Sequence, residues 1–133
     1  MKKILFVLFF LATSLFAELQ QVWATPEFFE KNPTIKVIDI RTPGEWRETG
    51  IVKGSIPIMF FDEKGRFDLP KFLDELNKVV KKDEPFALIC RTGSRTTEVS
   101  KFLAYRLGYK VINLKGGLMN LMRMGYRPVR YLK

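Results

Sequence analysis

Histidine is absent from this 133-residue chain. Its absence removes Cys-His and Ser-His catalysis and most zinc sites. Cysteine occurs once, at Cys90, so no disulfide can form within the chain. No internal repeat, low-complexity tract or long linker interrupts the sequence, which excludes repeat arrays and tethered multidomain layouts. Acidic residues are in deficit, 14 against 23 Lys and Arg, for a formal charge of +9. Long apolar runs are also scarce. The one candidate, Ile4 to Ala17, is broken by Thr13 and Ser14 and is shorter than the roughly 20 residues that span a bilayer.

That run follows Met1-Lys2-Lys3 and ends at Ala17 before Glu18. The pattern reads as a secretory signal peptide over residues 1–17, with an uncleaved anchor as the alternative. No cysteine lies near the start, so a lipidated amino terminus is excluded. Removal of that segment leaves 133 − 17 = 116 residues, one domain over 18–133 with its own core. Its charge becomes 9 − 2 = +7 after loss of Lys2 and Lys3. Periplasmic localisation is expected, with no nucleic-acid partner and membrane contact only through the signal peptide. The excess charge fits steering of anionic substrates, contact with an anionic partner, or a generally basic surface. A lone cysteine in an exported protein is either a free reactive thiol or an intermolecular partner.

Cys90-Arg91-Thr92-Gly93-Ser94-Arg95 is the organising stretch. It follows the apolar run Phe86-Ala87-Leu88-Ile89, a buried parallel strand by pattern. It precedes a helical pattern with Val99, Phe102, Leu103 and Leu107 on one face and Gly108 as its stop. Open α/β sheets place ligands at this strand-to-helix edge. Loop N–H groups and the helix N-terminus form a nest for negative charge there. A thiol in such a nest, beside Arg91 and Arg95, is expected to be reactive rather than buried in apolar surroundings. Gly93 supplies the positive φ of a tight loop.

The remaining pattern alternates strands and helices. Leu19–Trp23 and Lys36–Ile40 read as strands, and Ser55–Ile58 as a short extended segment. Thr25-Pro26-Glu27 and Thr42-Pro43-Gly44-Glu45 start short helices. Asp68 caps a longer helix with Phe72, Leu73, Leu76, Val79 and Val80 on its apolar face. Lys110–Leu114 is the last strand, and Gly116-Gly117 opens a last helix that stops near Gly125. The alternation implies an α/β fold with a parallel sheet covered by helices on both faces. Asp39, at the carboxyl end of its strand, is placed to bond the Cys90 loop or pair with Arg41, a structural role near the site. Met119, Met122 and Met124 are expected in the core rather than as copper(I) ligands. Phe60-Phe61 is likewise expected in the core rather than in an exposed docking patch.

Val37-Ile38-Asp39-Ile40-Arg41, Glu45-Trp46, Gly50 and Gly54-Ser55 together resemble the amino-terminal signature of rhodanese domains. Cys90 to Arg95 resembles their catalytic loop, and Leu114-Lys115-Gly116-Gly117 their closing double glycine. Protein tyrosine phosphatases have an arginine six residues after the cysteine, where this chain has Thr96. That spacing argues against a phosphatase or arsenate reductase. Two positions depart from the rhodanese pattern. Gly50-Ile51-Val52-Lys53-Gly54-Ser55 stands where the family commonly has Gly-His-Ile-Pro-Gly-Ala, and Leu121 where it commonly has tryptophan.

The resemblance implies a five-stranded parallel sheet and a thiosulfate sulfurtransferase working through a Cys90 persulfide, with no cofactor and no metal. Arg91 and Arg95 would orient the donor or the departing sulfite, and backbone N–H groups of residues 91–95 would hold the outer sulfur. Thr92 and Ser94 would add hydroxyl bonds. Basic loops in the family go with thiosulfate. The implied partners are a small anionic sulfur donor and a thiophilic acceptor, cyanide or a thiol. A carrier that delivers sulfur to a protein acceptor is the alternative.

Overall fold

A computed structural model describes residues 18–132, so the expected signal peptide lies outside the described residues. The elements run β1 (Glu18–Trp23), α1 (Pro26–Lys31), β2 (Lys36–Asp39), α2 (Pro43–Thr49), β3 (Ile56–Pro57), α3 (Leu69–Val79), β4 (Phe86–Ile89), α4 (Ser94–Lys101), β5 (Lys110–Lys115) and α5 (Gly117–Arg123). Thr25, Thr42 and Asp68 cap α1, α2 and α3, and each helix has proline in its first turn. Their side chains accept helix N–H bonds that the first turn leaves unpaired. At α2 the cap is reciprocal, because the Glu45 carboxylate also accepts the Thr42 N–H.

All five strands are parallel, in the order β1-β5-β4-β2-β3. Side chains alternate across the sheet, so each strand feeds two cores. Ile38, Phe86, Leu88 and Val111 face Phe72 and Leu76 of α3 and Val99 of α4. Val37, Ala87, Ile89, Ile112 and Leu114 face Phe28 of α1 and Leu118 and Leu121 of α5. β4 lies at the centre and is buried along its whole length. Its chain continues leftward to β5, whereas β2 continues rightward to β3. The carboxyl ends of β2 and β4 therefore meet where the strand order reverses, and that crevice is the usual ligand position in such sheets.

One element departs from the expected pattern. The helix after Cys90 turns π-helical over Phe102–Arg106. Val99 and Leu103 are fully buried on it, while Phe102 and Leu107 are only partly so. A wider turn shifts side-chain bearing after Lys101, which a 3.6-residue template does not register.

Candidate active site at the Cys90 loop

Cys90 continues the alternation of β4, so its side chain falls on the same face as Phe86 and Leu88. The residue is fully buried. This corrects the expectation drawn from its polar neighbours. Arg91, Thr92 and Ser94 turn outward and are exposed, while the backbone folds over the sulfur. The Gly93 N–H donates to Sγ at 3.2 Å. The thiol lies 3.6 Å from Thr96 Oγ1, whose own hydroxyl donates to the Gly93 carbonyl at 3.2 Å. The Thr92 and Ser94 hydroxyls lie 3.4 Å from each other, and neither is bonded to the sulfur.

The loop is fastened from α5. The N–H groups of Leu118 and Met119 donate to the carbonyls of Cys90 and Arg91, each at 2.9 Å. Only glycine fits at 117, because a Cβ there would lie 2.5 Å from the Cys90 oxygen and 2.6 Å from the Arg91 oxygen. Gly93 takes φ of 96°, and a Cβ there would lie 2.9 Å from the Gly116 nitrogen. These close approaches account for the glycines at both crossings. With its carbonyls engaged by α5, the loop delivers the Gly93 N–H to the sulfur. α4 then starts at Ser94 without any side-chain cap on its N–H groups.

Arg95 does not face the loop interior. Its guanidinium binds the Glu45 carboxylate through two bonds of 2.7 and 2.8 Å. Arg95, chiefly, and the Thr42 N–H hold the Glu45 carboxyl down to about 2. Glu45 in turn raises Arg95 above its usual range. The bidentate pair ties α2 to the Cys90 loop across 50 residues. The Arg91 guanidinium has no ion-pair or hydrogen-bond partner among the described residues. It borders a small pocket shared with Glu45, Glu48, Thr49, Met119 and Met122.

Behind α2 lies a buried pair. Asp39 accepts from Arg41 Nε at 3.0 Å and Nη2 at 2.8 Å, and from Trp46 Nε1 at 3.1 Å. Arg41 also donates to Thr49 Oγ1 at 2.7 Å and to the Gly50 carbonyl at 2.8 Å. Every donor of this pair thus spans the β2–α2 connection, and Asp39 makes no bond to the Cys90 loop itself. A second brace runs from Gln21 through Asn113 to Thr97, whose hydroxyl donates to Gly93 O at 2.7 Å.

Met119, Met122 and Met124 are 41%, 42% and 55% exposed, which corrects their expected place in the core. Their helix has seven residues and buries only Gly117, Leu118 and Leu121. Phe60 is buried and packs on Phe72, as expected. Sequence reasoning missed Thr96, Thr97 and the partnership of Glu45 with Arg95. The capping pattern marked Glu45 as a helix start, but nothing local connects it to residue 95.

The rhodanese-like domain model matches residues 25–124. The Bacillus subtilis protein named "Putative sulfurtransferase YtwF" is 31% identical over 96 residues, which cover 72% of this chain and 82% of that one. The Arabidopsis thaliana mitochondrial protein HIGH ARSENIC CONTENT 1 is 29% identical over 92 residues, covering 68% and 54%. Among solved structures, the polysulfide-sulfur transferase homodimer of Wolinella succinogenes superposes with a TM-score of 0.59 at 23% identity, covering 84% and 80%. A rhodanese-related protein of Thermoplasma volcanium gives 0.58 at 24%, covering 79% and 94%.

Proposed function

The chain belongs to the rhodanese-like domain family, and from that premise we propose that it is an exported sulfurtransferase with Cys90 as nucleophile. The observation that supports this most directly is the environment of Sγ. The sulfur accepts the Gly93 N–H at the uncapped start of α4 and has Thr96 Oγ1 beside it. The Gly93 N–H and the uncapped N–H groups of that helix start stabilise negative charge on sulfur and on a second sulfur attached to it, while the Thr96 hydroxyl, which donates to the Gly93 carbonyl, braces the loop. No histidine base is needed, since a thiolate attacks directly once its proton has gone to solvent.

In the first step the Cys90 thiolate attacks the outer sulfur of thiosulfate. The Sγ–S bond forms, the sulfur–sulfur bond of the donor breaks, and its electron pair leaves with sulfite. In the second step a thiolate or cyanide attacks the outer persulfide sulfur, and the Cys90 thiolate departs. The buried sulfur requires the loop to open transiently for each transfer. Arg95 is committed to Glu45, so Arg91 is the loop cation that meets the donor. A single available cation suits thiosulfate and also the polysulfide that the Wolinella relative's name specifies.

A second reading is a persulfide carrier for a protein acceptor. It is favoured by the exposed Met119 and Met122 beside Arg91, a soft apolar rim suited to a docking surface. The export part of the proposal rests on the apolar segment that precedes the domain.

Intact-protein mass spectrometry after thiosulfate is the test. A gain of one sulfur on the wild-type chain, absent in Cys90→Ser and removed by cyanide, is expected. No gain with the thiol confirmed reduced would exclude thiosulfate, and no gain with polysulfide either would overturn the proposal. Steady-state rates should give the parallel reciprocal lines of double displacement. Fast transfer to a protein thiol beside slow cyanide turnover would favour the carrier.

A further inference from the structure

Resting on that reading, we propose that the segment after α5 is a strap that positions the Cys90 loop, with Tyr131 as the positioning residue. The segment lies beyond residues 25–124, so the family match does not include it. It returns across the molecule and pairs with the turn after α2. Ile51 and Val129 exchange backbone bonds of 2.9 and 2.8 Å in an antiparallel bridge. The Lys53 N–H donates to Tyr126 Oη at 2.9 Å. Lys53 stands where the family pattern has proline, and proline has no N–H to give. Gly50 makes the approach possible, because a Cβ there would lie 2.4 Å from the Val129 oxygen. The chain thus departs from the family pattern at the place where the strap docks.

The strap ends on Trp46. The Tyr131 ring lies 5.4 Å from the Trp46 ring, centroid to centroid, and tilted by 58°. Trp46 is otherwise enclosed and donates to Asp39. Glu45, its neighbour in α2, holds Arg95. The physical path is therefore Tyr131 to Trp46, Trp46 to the pitch of α2, and α2 through Glu45 to Arg95 and the loop. A short helix of seven residues has little stiffness of its own, so contacts on both sides set its position.

Two readouts test this, with Tyr131→Ala and Tyr131→Phe as variants. The first is alkylation of Cys90 by iodoacetamide in native buffer. The second is the rate of sulfur uptake from thiosulfate. Tyr131→Ala should speed alkylation and slow uptake, each by roughly tenfold, the scale of coupling between residues in contact. Alkylation should be insensitive to low urea, the mark of local opening rather than global unfolding. Tyr131→Phe keeps the ring and should restore both rates. Combined with Glu45→Gln, Tyr131→Ala should add little to the loss in uptake. Unchanged alkylation in Tyr131→Ala, an equal loss in Tyr131→Phe, or full additivity with Glu45→Gln would each overturn the strap. If the wild-type chain takes up no sulfur while Tyr131→Ala still alters alkylation, the sulfurtransferase reading fails and the strap stands.

Discussion

At the scale of single residues, the site turns on which charges are already spent. Arg95 and Glu45 neutralise each other, which leaves Arg91 as the loop arginine without a side-chain partner among the described residues. Glu45→Gln should slow persulfide formation by about tenfold to a hundredfold through misplacement of the loop, measured by single-turnover mass spectrometry. The pH behaviour has a definite sign. The folded carboxyl sits near 2 against 4.5 for the free group, so its stabilisation is complete above 4.5. It is lost as pH falls from 4.5 through about 2. The full shift corresponds to about 3.5 kcal/mol at ~1.4 kcal/mol per unit, a ceiling that solvent screening of the half-buried pair lowers. The stability gap between wild type and Glu45→Gln should therefore stay constant above pH 5 and close on acidification, as read by urea unfolding. Thr96→Val should cost about 1–2 kcal/mol for the lost hydroxyl bonds and slow sulfur uptake, and Thr96→Ser should recover both.

At the scale of elements, the loop keeps its shape because α5 and α4 grip it from two sides. The α5 N–H groups engage its carbonyls, and Thr97 holds the Gly93 carbonyl from within α4. Gly117→Ala would push a methyl group into two carbonyl oxygens. It should lower stability by about 2–4 kcal/mol and raise Cys90 alkylation, since overpacking against backbone cannot relax through a rotamer. By contrast, Asp68→Ala removes the cap of α3, whose carboxylate accepts the Lys71 N–H and makes no bond to the Cys90 loop. A loss of about 1 kcal/mol with unchanged sulfur uptake is expected there. The pair of variants separates damage to the loop from damage to the fold.

At the scale of the molecule, two cores sandwich one sheet and the site sits on its carboxyl edge. Leu76 and Leu121 are fully buried in opposite cores. Truncation of either to alanine should cost about 2–5 kcal/mol in chemical denaturation, with little difference between faces. The basic surface acts over longer distances. The 18–133 segment carries a formal +7, obtained as 9 − 2 for Lys2 and Lys3. Rates with dianionic thiosulfate should fall as ionic strength rises, and the fall should be shallower in Arg91→Gln.

Much of this was written locally. The caps at Thr25, Thr42 and Asp68, the β4 run and the order of strands and helices are set by side chains within a few residues of one another. A cysteine between a buried strand and a helix start marked the candidate site on the same grounds. The sequence also marked Gly93 as a point of positive φ and Gly116-Gly117 as a helix start, and all three take positive φ. What those glycines approach is decided only by the fold, because a missing Cβ says nothing of the partner that takes its space. The same holds for the pairing of Arg95 with Glu45, the burial of Cys90, the exposure of the three methionines and the return of Tyr131 to Trp46. Each depends on groups brought together by packing across the sheet, and composition or periodicity carries no record of such distances.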